Sequence, residues 1–136
     1  MEKVIVKTQK KNELVDITSE IKAIIDEMDV KEGICTIFCP HTTSGITINE
    51  AFDPSVKTDI LFSLNKLSPD YKEFRHSEGN SSAHVKSSII GCSLNLIISQ
   101  GKIMLGQWQG IYFAEFDGPR TRELWIKVIG DSHHLS

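Results

Sequence analysis

The carboxyl-terminal third of the chain is almost wholly extended runs: CSLNLIIS (92–99), KIMLGQW (102–108), IYFAEF (111–116) and ELWIKVI (123–129), at hairpin-like spacing, with a turn at Gln100-Gly101. Branched and aromatic side chains suit a pleated, half-buried surface. Further strands are expected upstream, over 2–8 and 13–17 with KKN between them as a hairpin or sharp bend, over GICTIFC (33–39) up to Pro40, and over ITINE (46–50). In two places the apolar period lengthens to that of a helix. Ile21, Ile24, Ile25 and Met28 follow Thr18, a candidate N-cap, with Glu20 in the first turn. Val56, Ile60, Leu64 and Leu67 follow Asp53-Pro54, a strong helix start, and Pro69 ends that helix. A third, short helix is expected from about Ser82, after a polar connection over 68–82 long enough to be functional or mobile. The pattern predicts an α+β fold, a β-sandwich of mostly antiparallel sheets with two to three short helices. A chain of 136 residues with 40% apolar content can bury one core, so a single domain over 1–130 is expected, followed by a polar tail over 131–136. The tail's His133 and His134 are expected to have no native role.

A net charge of −3 and a pI near 5.9 provide no general basic field, which argues against nucleic acid and anionic membrane as partners. With no apolar run of membrane-spanning length and no secretory signal at the amino terminus, a cytoplasmic location is expected. Three cysteines, Cys35, Cys39 and Cys92, are too few for a disulfide framework and are read as thiols. A zinc site from Cys35, Cys39 and His41 is disfavoured, because Cys35 and Cys39 would stand ~13 Å apart on an extended strand. All three cysteines are read as small core hydrophobes.

His41, His76 and His84 all fall in loops or at element edges, where imidazole serves as metal ligand or general base. His84 would lie in the first turn of its helix, whose dipole disfavours the imidazolium. Ser81 or Ser82 would cap that helix, or the amide groups around Asn80, Ser81 and Ser82 would receive a phosphate. Glu115 shares a face with Ile111 and Phe113 if IYFAEF alternates, so it needs either an ion pair with Arg120 or Arg122, or a catalytic task. The arginine fork suits phosphate. Trp108, in GQWQG, could stack a heteroaromatic ring or bury itself in a subunit contact, and Glu50 could be an acid beside a metal, a base or an exposed glutamate.

PHTTSGITINE (40–50), RHSEGNSSAH (75–84), LGQWQGI (105–111) and AEFDGPRTR (114–122) together resemble the YjbQ-like family, in the same order and over nearly the whole chain. That resemblance implies an α+β subunit with a β-sandwich core, assembly as a homotrimer, and a divalent metal, zinc or magnesium, near the histidine motifs. Some members are described as secondary thiamine-phosphate synthases, which join a pyrimidine diphosphate to a thiazole phosphate and release pyrophosphate. The resemblance implies His41, His76 and His84 as metal ligands, and Glu50, Glu115, Arg120 and His84 as catalytic groups. A small phosphorylated metabolite would be bound by Thr42, Thr43, Glu78, Asn80, Trp108, Gln109, Asp117, Arg120 and Arg122. The alternatives are a metal-dependent hydrolase and a non-catalytic trimeric metabolite-binding protein.

Overall fold

The architecture comes from a computed structural model, in which residues 1 to 131 are described; the tail histidines lie outside the described residues. Five strands form sheet A in the order β1 (Glu2–Lys7), β8 (Thr121–Gly130), β3 (Gly33–Phe38), β5 (Ser93–Ser99) and β6 (Lys102–Ile103). Sheet B has the order β2 (Glu13–Asp16), β7 (Gln109–Glu115) and β4 (Ser44–Glu50). Every pairing in both sheets is antiparallel. Sheet A is curled, and its inner face packs on sheet B with Cys35, Ile37, Ile98, Leu124 and Ile126 meeting Ile46, Ile111 and Phe113. Helix α1 (Thr18–Met28) adds Ile21 and Ile25 to this core.

β7 is buried on both faces. Its odd positions, Ile111 and Phe113, enter the sandwich core, while Tyr112 and Ala114 join a second cluster with Leu14, Phe116, Leu64 of α2 (Pro54–Leu67) and Ala83 of α3 (Ser81–Ile90). Full burial of a side chain such as Phe113 or Leu64 contributes about 1.5–3 kcal/mol. The second cluster is small, and the stripe expected along α2 narrows accordingly: Leu64 is buried, Val56 and Ile60 are half-buried, and Leu67 is exposed.

Several local expectations need correction. Of the two readings of KKN the sharp bend is the one observed, because β1 pairs with β8 while β2 pairs with β7. The β7 and β8 runs, adjacent in sequence, likewise belong to different sheets. Only the β5–β6 turn makes the expected hairpin, with Gln100 and Gly101 at φ 53° and 79°, and KIMLGQW is strand only over Lys102–Ile103. Thr18 does not cap α1; it opens the helix, and its hydroxyl accepts the Ile111 N–H at 2.8 Å, which ties α1 to sheet B. Neither Ser81 nor Ser82 caps α3: Asn80 holds the cap position, and the Ser82 hydroxyl donates to the Ser68 carbonyl at 2.7 Å. Asp53 does cap α2, accepting the Ser55 N–H at 2.9 Å.

Of the connections that carry the chain between the sheets, the short ones over residues 8–12, 39–43 and 116–120 lie together at one end of the sandwich, whereas 104–108 enters β7 at the other end. At the first of these ends Lys7 faces Thr121, and Glu115 faces both Glu13 and Ser44. Gly118 lets two crossings touch: a Cβ on it would fall 2.3 Å from the Lys10 carbonyl oxygen.

Candidate functional site

The crossing end is held by a buried ion pair. Glu115 is 0% exposed and Arg122 5%. Arg122 Nε donates to Glu115 Oε1 at 2.9 Å and Arg122 Nη2 to Oε2 at 2.5 Å. Thr8 adds its hydroxyl to Oε1 at 2.8 Å, and the Phe116 and Asp117 amides donate to Oε2. Arg122 Nη2 also donates to Thr43 Oγ1 at 2.8 Å. Each of these three crossings thereby contributes at least one residue bound to the same pair. Burial pushes the Glu115 carboxyl up, but Arg122, the Asp117 amide and the Thr8 hydroxyl outweigh it, and the group is held below its ordinary value. Of the two partners expected, Arg122 is the one observed. Arg120 pairs instead with Asp117, through Nη2 to Oδ2 at 2.7 Å and Nε to the main-chain carbonyl at 2.9 Å.

His41 owes its position to Pro40. The β3–β8 register sets Phe38 opposite Trp125, which would bring Pro40 opposite Glu123, but proline has no N–H for the ladder. The His41 ring takes that place, with Nε2 3.0 Å from the Glu123 carbonyl oxygen and 3.1 Å from its amide nitrogen. Burial, aided by the charge of Arg122, lowers the pKa of His41 in spite of the bond to Glu123, so the ring is neutral near pH 7.

The 68–80 connection and α3 supply the opposite wall. The His76 and His84 rings meet edge to face with centroids 5.2 Å apart, and His76 Nε2 lies 3.7 Å from Glu78 Oε1. Asn80 Nδ2 donates to Asp117 Oδ2 at 2.9 Å, while its buried Oδ1 has no hydrogen-bond partner among the described residues. Asp117 thus orients both Asn80 and Arg120. His41, Thr42, Thr43, His76, Glu78, Asn80, His84, Arg120 and Arg122, together with Pro40, line one cavity of about 410 Å³. Ser81 and Ser82 do not line it. Both guanidinium groups keep their Nη1 amino groups clear of hydrogen bonds to the described residues.

Glu50, Trp108 and Gln109 stand elsewhere. Glu50 faces Gln109 at the far end of the β4–β7 ladder, six residues from Ser44, or roughly 20 Å along the strand. Glu50 Oε2 accepts the Asp53 N–H at 3.0 Å, and Trp108 packs edge-on against Phe52 with centroids 5.0 Å apart. Gln109 turns its Oε1 to the Gly106 amide at 2.7 Å. Imidazole donors suit zinc in kind, and suit it better than magnesium, which prefers oxygen. In position they are gathered but not converged: among the described residues no three His, Cys, Asp or Glu side chains are grouped closely enough to hold an ion.

Two cysteines behave as expected and one does not. Cys35 and Cys39 are buried, Cys39 with Sγ 3.4 Å from Ser44 Oγ, and burial pushes the Cys35 thiol up to about 11. Cys92 is exposed. It lines a second cavity of about 480 Å³ that shares His41, Thr42 and His84 with the first and adds Ser87, Ser88 and Gly91. The sequence does carry a signal for Ser87 and Ser88, which follow His84 by three and four residues on one helix face.

An antiparallel sandwich with imidazoles and guanidinium groups lining one cleft at its crossing end describes a class of protein, and comparison with known chains supplies the family. Residues 2–131 match the family model described as UPF0047 protein YjbQ-like, and the chain belongs to that family. It is 60% identical over 126 residues to UPF0047 protein MJ1081 of Methanocaldococcus jannaschii, covering 93% of this chain and 91% of that one. It is 50% identical to YugU of Bacillus subtilis, over 92% of this chain and 96% of that one. Among solved structures, an uncharacterized YjbQ/UPF0047 protein from Clostridium acetobutylicum superposes with a TM-score of 0.92 at 49% identity, covering 95% of this chain and 100% of that one. A protein of unknown function from Sulfolobus solfataricus gives 0.91 at 31% identity, with 96% of each chain covered. No helix among the described residues is long and apolar enough to cross a membrane.

Proposed function

We propose that the chain is a cytoplasmic enzyme that binds a small phosphorylated metabolite in the histidine cleft, and that its reaction is of the thiamine-phosphate synthase type, joining a pyrimidine diphosphate to a thiazole phosphate with release of pyrophosphate. The observation that carries this reading is the meeting of His41, His76 and His84 with Arg120 and Arg122 in the lining of one cavity, neither Nη1 group being hydrogen-bonded to the described residues. Departing pyrophosphate gathers negative charge, and donors already fixed by Asp117 and Glu115 can stabilise it without reorganising. His41, neutral and held through Nε2, exchanges a proton at Nδ1. Asn80 Oδ1 is placed to accept a hydrogen bond from a substrate amine or hydroxyl. With every oxygen of Glu115 engaged and Glu50 at the far end, the base is a histidine rather than either glutamate.

A zinc-bound form would require the His41, His76 and His84 rings to draw together; it would supply Lewis-acid charge at the phosphate, and His41, its Nδ1 then occupied by the ion, would not exchange the proton. Its test is metal content by elemental analysis, which should fall in His84→Ala. Assembly as a homotrimer is supported by the uncovered outer face of sheet A, where Ile97, Ile34 and Ile129 stand in register at 64%, 51% and 73% exposure. Sedimentation of a monomer would remove that part of the proposal. The reaction itself is tested by substrate profiling: turnover of the two thiamine precursors should exceed hydrolysis of simple phosphate esters. The reverse result would make the protein a hydrolase, and no turnover of either kind a binding protein.

A further inference from the structure

The phosphate reading leaves the rest of the substrate without a place. Trp108, the aromatic face expected to take a ring, stands at the other end of sheet B, too far to touch anything bound at Arg120. The second cavity does touch it. His41, Thr42 and His84 line both spaces, which makes them two lobes of one cleft with the imidazoles at the junction.

The lobes differ in charge. Glu78, Arg120 and Arg122 all line the first, and among the described residues no carboxylate, ammonium or guanidinium lines the second. The surface of the second is made of small groups. Gly91, with φ at 100°, presents bare backbone, and a Cβ built there meets nothing within 4 Å. Ser88 is exposed with its hydroxyl turned to the His84 carbonyl at 3.1 Å, and Cys92 presents the exposed thiol. A volume of about 480 Å³ accommodates a single ring.

We propose that this second lobe, walled by Ser88, Gly91 and Cys92, receives an uncharged, ring-sized organic group joined to the phosphate that the first lobe holds. The inference rests on the phosphate reading above and extends it: the bond between phosphate and organic group lies beside His41 and His84. The ligand class is a phosphate monoester of a neutral ring, and phenyl phosphate is a sufficient probe.

Calorimetric titration with inorganic phosphate and with phenyl phosphate separates the two claims. Phenyl phosphate should bind about tenfold tighter, as expected for burial of part of a ring. N-ethylmaleimide should react in the folded protein at Cys92, because Cys35 and Cys39 are buried. After that reaction, or in Cys92→Trp, the two affinities should agree within about twofold while the affinity for inorganic phosphate is retained. Phenyl phosphate, but not inorganic phosphate, should slow the alkylation. Phosphate binding without ring preference, or a preference that survives both blocks, overturns the second lobe alone. No binding of either compound overturns the phosphate reading and this inference with it.

Discussion

Sheet B carries a glutamate at each end of its β4–β7 ladder, and the two have little in common beyond their chemistry. Glu115, opposite Ser44, is sealed beneath three chain crossings and gives its oxygens to a guanidinium, a hydroxyl and two amides. Glu50, opposite Gln109, lies near the surface and accepts one amide at the start of α2. A buried carboxylate needs this many partners because desolvation alone would neutralise it. An acid at the surface needs almost none. The contrast shows that the crossing end is built around a buried charge pair and the far end is not, and the histidines and arginines of the cleft collect at the charged end.

The comparison can be broken most forcefully at Arg122. Arg122→Met strands a buried carboxylate and should cost about 3–5 kcal/mol in urea unfolding. Glu50→Gln should stay within about 0.5 kcal/mol. Equal costs would mean that the two ends do not differ as described. Thr8→Val should cost about 1–2 kcal/mol, since the hydroxyl donates to Glu115 and accepts the Arg120 amide at 2.9 Å.

Binding sharpens the same contrast. Arg120→Ala should weaken inorganic phosphate about tenfold by loss of charge-assisted donors, and Trp108→Ala should leave it unchanged in the same titration. If Trp108→Ala is the more damaging, phosphate binds at the far end.

The smallest effect is in pH. Glu115 has a depressed pKa, so its contribution is complete above its ordinary value of 4.5 and fades as pH falls through the folded value. His41 is also depressed: its neutral form favours the fold above 6.5, and stability declines as pH drops below that point and the unfolded chain takes up the proton first. Stability measured from pH 7 to 3 should therefore fall in two steps. Glu115→Gln should flatten the lower step and His41→Gln the upper, whereas Glu50→Gln should alter neither.

Much of this was legible beforehand. Alternation and helical spacing located the strands and both longer helices, because side-chain period reports which residues share a face. It does not report which strand lies alongside, so KKN and the 116–120 segment, short enough for hairpins, concealed their passage between sheets. The same limit affected the site. His41, His76, His84, Arg120 and Arg122 come from three motifs and gather in one cleft, while Trp108 and Gln109 sit in an equally prominent motif and are carried away by the length of β7. Cys92 was misjudged for another reason: it directly precedes β5, where a small apolar residue resembles the start of a buried strand, but β5 begins at Ser93 and the thiol is left outside.

Glu123 offers His41 an amide hydrogen and a carbonyl oxygen at nearly equal distances from the same ring nitrogen. If the amide donates, the ring carries its hydrogen on Nδ1 and faces the cleft as an acid; if the carbonyl accepts, Nδ1 shows a bare lone pair and the same face is a base. The two tautomers have the same shape and need no heavy atom to shift. In the proposed reaction a strand's main chain would thus let one imidazole serve both halves of a proton shuttle, giving at one moment what it withdraws at the next.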